Sequence, residues 1–402
     1  MIISASRLRR KLPRDKYNSV ILEKGRQRGI YMVGGYVRDT LRGVCSQDRD
    51  FVISGDLTSF AREIRDIFGG TIVKFRKADM VRLALPGCVT FDFAPPMGTM
   101  EEDLSKRDFT VNALAWSPEK EIIDMHHGLE DLQRKRIRMI SRNNLIADPL
   151  RVVRAYRFAA ELGGSIEKRT RDAIKTLQNG LEKVSPERIT LELFHLLNSK
   201  YSSRYLRAAL RDGVLTDILS LSDKVLGGNI RAICKLEERL LEDLPGGIKA
   251  LLDKTFSQNL TYKGLLCLEL LLRGSGSDAG KVRMSSSLVK RIQLSSRGMA
   301  EMKRRRFASK GQLFDIFVLL KEAAQDVLIT SGRMELFREY RKFRRIMKDG
   351  FLQSEDIMRI IEFGPGPLIG KSILALRRAE FEGIVKSRVE AVRFIRKHTR
   401  QA

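Results

Sequence analysis

In this 402-residue chain a Gly34-Gly35 pair precedes two aspartates one residue apart, Asp48 and Asp50. In a strand, side chains at i and i+2 leave the same face, so both carboxylates can grip one divalent cation. The glycine pair lets backbone amides approach a phosphate closely. Asp-x-Asp alone also suits a solvated turn, so the reading needs support from elsewhere in the chain. Nucleotidyl transfer requires an activated 3′ hydroxyl and a neutralised triphosphate, commonly through two metals about 4 Å apart on three carboxylates. Asp92 is the candidate third: in Val89-Thr90-Phe91-Asp92-Phe93 the two Phe side chains point to one face and Asp92 to the other.

Two further segments carry chemistry. Within Lys106-Arg107-Asp108-Phe109-Thr110-Val111-Asn112-Ala113, Arg107 suits a phosphate or sugar, with Asp108 and Asn112 to orient it. A capped helix with surface ion pairs would account for the same residues. In Asp148-Pro149-Leu150-Arg151, proline at the first helical position makes Asp148 a natural N-cap. Asp148 and Arg151 are three apart, so they share a helix face and present an acceptor beside donors. Cytosine and adenine both show an amino donor next to a ring-nitrogen acceptor, whereas uracil and guanine show a carbonyl next to a ring N–H. A paired Asp and Arg therefore accepts C and A and rejects U and G without a template. Arg154 and Arg157 continue at the same spacing, positioned for a base or triphosphate or, alternatively, forming a basic surface stripe.

The elements that must position these residues fall into two regimes. Short strand-like runs cover 30–33, 51–54, 71–75, 81–85, 89–93 and 121–125, with an amphipathic helix at Leu57 to Phe68 between them. Beyond about residue 140 the strand signals vanish, and apolar residues at three- and four-residue spacing predict helices over 150–162, 171–180, 186–198, 203–210, 230–241, 313–324 and 334–348. The fold class is α+β: a mixed sheet with helices, then an all-α array. Gly-Ser stretches at 273–280 and 295–298 read as loops that mark a boundary.

A formal net charge of +26 exceeds what solubility needs and predicts a polyanionic partner, foremost nucleic acid. Basic clusters at 303–306, at 338–345 with Phe337, Tyr340 and Phe343 interleaved, and at 386–400 suit an RNA backbone track, although each alone also suits a solvated helix face. Cysteines 45, 88, 234 and 267 show no metal-ligand spacing with the four histidines and read as reduced, packed thiols of a cytosolic protein. The histidines, at 126, 127, 195 and 398, read as surface or packed side chains. There is no apolar run of about 18 residues to suggest a membrane span, and the basic start at 1–11 lacks a signal-peptide core.

Taken in order, Gly34-Gly35-Tyr36-Val37-Arg38-Asp39 with Asp48-Arg49-Asp50, the 106–113 run, 124–132, 148–158 and Ser185-Pro186-Glu187-Arg188 resemble the class II tRNA nucleotidyltransferases, the CCA-adding enzymes, and their relatives the bacterial poly(A) polymerases. The end, from Gly364 to Ala391, looks like the tail of tRNA-binding members. The resemblance implies a nucleotidyltransferase head of polymerase-beta-like type (1–140), a helical neck that recognises the base (141–210), a helical body (211–300) and a tRNA-binding tail (301–402). It implies Mg²⁺ on Asp48 and Asp50, nucleotide contacts from Gly35, Arg38 and Arg107, and base and phosphate reading by Asp148, Arg151, Arg154 and Arg157. The implied partners are the acceptor end of tRNA and the substrates CTP and ATP, with a cytoplasmic location.

Two departures from the family pattern stand out. Ala147 replaces the Glu that many members carry before the base-reading Asp. The link from Asp92 to Glu101 is short, where CCA-adding members carry a flexible segment resembling a lever for the switch from C to A, so the expectation is a product that stops at CC. The competing readings are a poly(A) polymerase sharing every head motif and, from another class, a catalytically idle RNA-binding protein on the same scaffold. No His-Asp phosphohydrolase signature occurs, so no phosphatase activity is expected.

Overall fold

A computed structural model describes residues 8, 10–75, 79–241, 244, 247–257, 259–276, 278–304, 309–362 and 365–399. The chain divides into two compact units, Met1–Leu219 and Ser220–Ala402.

The first unit is built on a seven-stranded sheet in the order β3-β4-β5-β2-β1-β6-β7. Its strands are β1 (Tyr31–Val33), β2 (Asp48–Val52), β3 (Thr71–Lys74), β4 (Val81–Ala84), β5 (Thr90–Ala94), β6 (Ala115–Ser117) and β7 (Glu121–Ile123). Only β2 and β5 run parallel; every other neighbouring pair is antiparallel, which makes the sheet mixed as expected. The period-two alternation of β5 is strict: Phe91 and Phe93 are fully buried, while Asp92 lies on the opposite face. Behind the sheet, Phe51, Phe60, Phe91 and Phe93 pack edge-to-face and stacked, and helix α1 (Lys16–Gly25) adds Tyr17. On the other face, Val33, Val52, Met100, Leu104, Ala113 and Ala115 form a smaller apolar cluster beneath the site.

Four other helices of this unit matter for the site. These are α2 (Gly35–Arg42), α3 (Met100–Ser105), α4 (Leu150–Leu162) and α5 (Pro186–Asn198). The 150–162 helix matches the apolar period, and it buries Val152, Tyr156 and Phe158 among its neighbours. Strand β6 was not legible in the sequence because Ala115, Trp116 and Ser117 are all buried and show no alternation.

The second unit is mainly helical, with Asp223–Arg239, Tyr262–Leu271, Ser286–Arg304, Lys310–Leu320, Ala324–Ser331, Phe337–Asp349, Ser354–Ile361, Pro367–Glu382 and Arg388–Thr399 as its longer helices. Strands do not vanish entirely beyond residue 140: Thr255–Ser257 pairs with Leu260–Thr261, and Ser165–Ile166 of the first unit pairs with Arg136–Ile137. The stretch 295–298 is not a loop but lies inside the Ser286–Arg304 helix. There the Ser295 hydroxyl donates to the buried Glu269 carboxylate at 2.7 Å. Gly298 lets Leu320 and Val327 pack onto the helix, since a Cβ would sit 2.6 and 2.8 Å from their methyls.

The aromatics of 337–343 point inward. Phe337, Tyr340 and Phe343 are buried and pack with Phe314, Phe317 and Phe381, whereas Arg338, Arg341, Arg344 and Arg345 are exposed. Of the other basic clusters, residues 305, 306 and 400 lie outside the described residues, as do Gly364 and most of 1–9. Cys267 is buried, but Cys45 and Cys88 are exposed rather than packed. No helix among the described residues is long and apolar enough to cross a membrane.

Candidate active site

Every residue singled out from the sequence as catalytic or nucleotide-binding lines one cleft of about 970 Å³ within the first unit. The carboxylates owe their juxtaposition to strand register. Parallel pairing of β2 with β5 sets Asp50 opposite Asp92 and Asp48 opposite Thr90. Between the two aspartates of β2, Arg49 points to the other face, where it is buried, pairs with Asp15 at 3.1 Å and lies over the rings of Tyr17, Tyr36 and Phe91. Asp48 and Asp50 therefore stand together on the cleft side.

The three carboxylates are held differently. Asp48 accepts a hydrogen bond from the Thr90 hydroxyl at 2.6 Å. Asp92 is gripped at both oxygens by Arg82, from Nε at 2.7 Å and Nη2 at 2.6 Å. Among the described residues nothing donates a hydrogen bond to the Asp50 carboxylate. Burial first, then the neighbouring charges of Asp92 and Asp48, push its pKa up to about 6, against the pull of Arg107 and Arg82. A buried carboxylate raised further by neighbouring like charges is one that a bound cation would stabilise. Asp48 and Asp50 fit a divalent ion of hard-oxygen preference, yet no group of three His, Cys, Asp or Glu among the described residues is placed to hold a metal.

Gly34 leads from β1 into α2 with φ +68°, in the left-handed region. A Cβ there would meet Arg107 Nη1 at 2.7 Å and approach Asp50 Oδ2 at 3.6 Å, so the left-handed backbone favours glycine and a larger residue would also displace the tip of Arg107. Gly35 opens α2 and is not required on these grounds: its Cβ would touch only Arg38 Nη2, at 3.8 Å.

The arginines are tied into a network. Arg38 grips Asp39 from Nε and Nη2 and donates from Nη1 to Asn112 Oδ1 at 2.5 Å, while Asn112 Nδ2 donates to Asp108 at 2.9 Å. Arg154 Nε donates to the other Asp108 oxygen at 2.8 Å, and its Nη1 reaches Glu192 at 3.3 Å. Burial would raise the Asp108 carboxyl, but Arg154 and hydrogen bonds from Asn112 and the Phe109 amide hold it below the usual range. Arg157 lies 2.8 Å from Glu192. Phe158 serves as a platform: the guanidiniums of Arg38, Arg154 and Arg157 sit 5.0, 5.0 and 4.1 Å from its ring centre. Arg107 pairs with Asp103 at 3.1 Å, one helical turn back.

Asp148 and Arg151 share the cleft but are not paired with each other. Asp148 closes a short helix, Arg142–Ala147, instead of capping the next by its side chain; its Oδ2 accepts from Arg188 Nη2 at 2.9 Å. Arg151 Nη1 donates to the carbonyls of Lys106 and Asn144 at 2.9 and 3.1 Å. Burial leads in drawing its pKa below the usual guanidinium value.

Sequence reasoning passed over Arg82, Glu192 and His195, all close to these groups. Arg82 was legible in principle, since a tight β4–β5 hairpin sets it opposite Asp92. Glu192 carries no local signal, because it meets Arg154 and Arg157 only when α5 packs on α4. His195, read as surface or packed, lines the cleft, and burial first and then Arg157 draw its pKa below the usual value.

Comparison with known proteins identifies relatives of the chain. Residues 84–138 match the family model described as the poly A polymerase head domain, and 164–224 match the probable RNA and SrmB-binding site of polymerase A. The chain is 30% identical to a CC-adding tRNA nucleotidyltransferase of Geobacter sulfurreducens, covering 92% of each chain. It is 28% identical to a second CC-adding enzyme, from Synechocystis, over 90% of this chain and 92% of that one. Among solved structures, the Thermotoga maritima CCA-adding enzyme complexed with tRNA superposes with a TM-score of 0.70 at 22% identity, covering 99% of this chain and 100% of that one. The first unit thus carries the fold of the CCA-adding enzymes. The chain belongs to the class II tRNA nucleotidyltransferase family, that of the CCA-adding enzymes.

Proposed function

We propose that the protein adds cytidylate from CTP, without a template, to the 3′ end of tRNA and stops after CC. The observation that carries the transfer reading is a single cleft lined by three strand-borne carboxylates and by both Asp148 and Arg151. In this reading the 3′ hydroxyl gives up its proton at the carboxylates of Asp48, Asp50 and Asp92 and attacks the α-phosphorus of CTP. The bond from that phosphorus to the bridging oxygen breaks, and pyrophosphate leaves with its charge taken up by Arg107, Arg154 and Arg157. Arg38, Asp108 and Asn112 hold that set in place through the network above. Asp148 and Arg151 read the base edge once Arg188 and the two carbonyls release them. Mg²⁺ is the proposed cofactor, held by Asp48 and Asp50, where it would neutralise triphosphate and lower the pKa of the hydroxyl.

Restriction to CC rests on the link between β5 and α3, residues 95–99. It is tied at its middle and at its C-terminal end. Lys106 Nζ donates to the Met97 carbonyl at 2.9 Å, and Thr99 forms a capping box with Glu102. So short and anchored a segment has no slack to act as a lever between C and A states. The full-length relatives from Geobacter and Synechocystis bear the name CC-adding. Helical neck, body and tail parts as delimited above would carry the acceptor arm, in the cytoplasm where tRNA matures.

The test is incubation of tRNA transcripts lacking CCA with CTP, ATP or both, followed by sequencing of the 3′ ends. Addition of CC in either CTP reaction is expected. Efficient terminal A addition would overturn the CC restriction, and long A tracts on generic RNA with ATP alone would favour a poly(A) polymerase.

A further inference from the structure

Among the described residues, the Arg82–Asp92 pair is the one contact in the cleft that commits a candidate catalytic carboxylate at both oxygens to another protein group. Antiparallel register sets Arg82 of β4 directly across from Asp92 of β5, so the two side chains leave adjacent backbones on the same face. The guanidinium fork meets the carboxylate in parallel bonds of 2.7 and 2.6 Å, the geometry that binds both oxygens at once. Asp48 keeps an oxygen uncommitted beside its bond to Thr90, and Asp50 keeps both. With Asp92 so held, the carboxylates form no three-ligand group among the described residues.

The Arg82 side is less confined than the Asp92 side: its side chain is 38% exposed against 13%, it lies 5.5 Å from the Phe75 ring centre, and it lines the cleft. A polyphosphate carries more negative charge than one carboxylate and offers the same fork-shaped acceptor geometry, so its arrival favours a different partner for Arg82. We propose that Arg82 positions Asp92, holding it out of the metal site in the resting protein and releasing it when a nucleoside triphosphate draws the guanidinium away. Asp92 then becomes available as the third carboxylate only in the presence of substrate. The identity of the triggering polyphosphate rests on the nucleotidyl-transfer reading, whereas the masking of Asp92 does not.

The experiment is titration of Mn²⁺ into the full-length protein without RNA, followed by electron paramagnetic resonance, for wild type, Asp92→Asn, Arg82→Gln and the double variant. Without nucleotide, Asp92→Asn should leave wild-type Mn²⁺ affinity within about twofold. Arg82→Gln should tighten it by about tenfold, and adding Asp92→Asn to Arg82→Gln should remove that gain. With a non-hydrolysable CTP analogue present, Asp92→Asn should weaken Mn²⁺ binding in the wild-type background as well. Equal weakening by Asp92→Asn in both backgrounds without nucleotide would overturn the proposal, as would no gain from Arg82→Gln. Thermal denaturation checks that each variant folds. If Arg82→Gln does not fold, Arg82→Lys replaces it, since lysine keeps the charge but loses the fork and should give a smaller gain. CTP incorporation by the wild-type protein separately tests the transfer reading, so the two can fail independently.

Discussion

Arg154 and Asp108, 46 residues apart, meet in a charge-assisted hydrogen bond of 2.8 Å in the wall of the cleft. The pair joins the sheet-bearing part of the first unit to α4, and Asp108 is buried to 5% exposure. Removing one partner of such a pair leaves the other charge buried alone, at a cost of about 3 kcal/mol or more. Arg154→Met and Asp108→Leu should each lower stability by that order in urea denaturation. The double variant should recover much of the stability while remaining inactive. A double variant as unstable as the sum of the singles would show that the two residues act independently.

Gly34 and Gly35 should behave differently despite being adjacent. Gly34→Ala places a Cβ 2.7 Å from Arg107 at φ +68°, so both backbone and arginine must shift. Its nucleotide incorporation is expected to fall by about a hundredfold, the scale of a misplaced reacting group. Gly35→Ala meets only Arg38 Nη2 at 3.8 Å and should cost folding stability less than about 0.5 kcal/mol. Steady-state incorporation assays and thermal melts on the two variants check this contrast.

The raised carboxyl of Asp50 makes the metal-free protein sensitive to pH. A group with a native pKa of about 6 and a reference value of 3.8 contributes stability that is full below 3.8 and lost as pH rises through about 6. In EDTA, Asp50→Asn should therefore be more stable than wild type at pH 7.5, by about 1–3 kcal/mol, with the difference shrinking on acidification towards pH 4. Adding Mg²⁺ should raise the wild-type melting temperature at pH 7.5 and leave that of Asp50→Asn nearly unchanged. A melting temperature of Asp50→Asn below that of wild type in EDTA at pH 7.5 would contradict this account.

Base selection should depend on Asp148 and Arg151 as separate groups. Asp148→Ala removes the acceptor that matches the amino group of cytosine, so preference for CTP over UTP should fall by about a hundredfold. Arg188→Ala frees Asp148 from its 2.9 Å ion pair without touching the acceptor. Its CTP preference should survive, and a lower KM for CTP is expected because the pair no longer has to open. Competition assays with mixed nucleotides measure both effects.

Several features were determined by the sequence alone, because they depend on local periodicity. The alternation of Phe91, Asp92 and Phe93 placed the aspartate opposite the apolar face, and the three- and four-residue apolar spacing of 150–162 matched its helix residue for residue. The alternation of Asp48, Arg49 and Asp50 likewise put both carboxylates on one side of β2. Local pattern misled in two ways: Ala115–Ser117 is a strand buried on both faces with no polar face to alternate, and the Gly-Ser composition of 295–298 suggests a loop although the stretch is helix, with Gly298 closely packed against Leu320 and Val327.

Only the tertiary structure decided which partners the charged groups take. Asp148 and Arg151 have the spacing to pair, but Arg188 and two backbone carbonyls reach them first. Arg82, Glu192 and His195 enter the cleft through strand register and helix packing, and no window of a few residues contains that information. Periodicity depends on backbone geometry repeated every two or 3.6 residues and is written along the chain. An ion pair depends on where distant backbones converge, and here that convergence leaves Asp50 with no hydrogen-bond donor among the described residues while Arg82 holds both oxygens of Asp92.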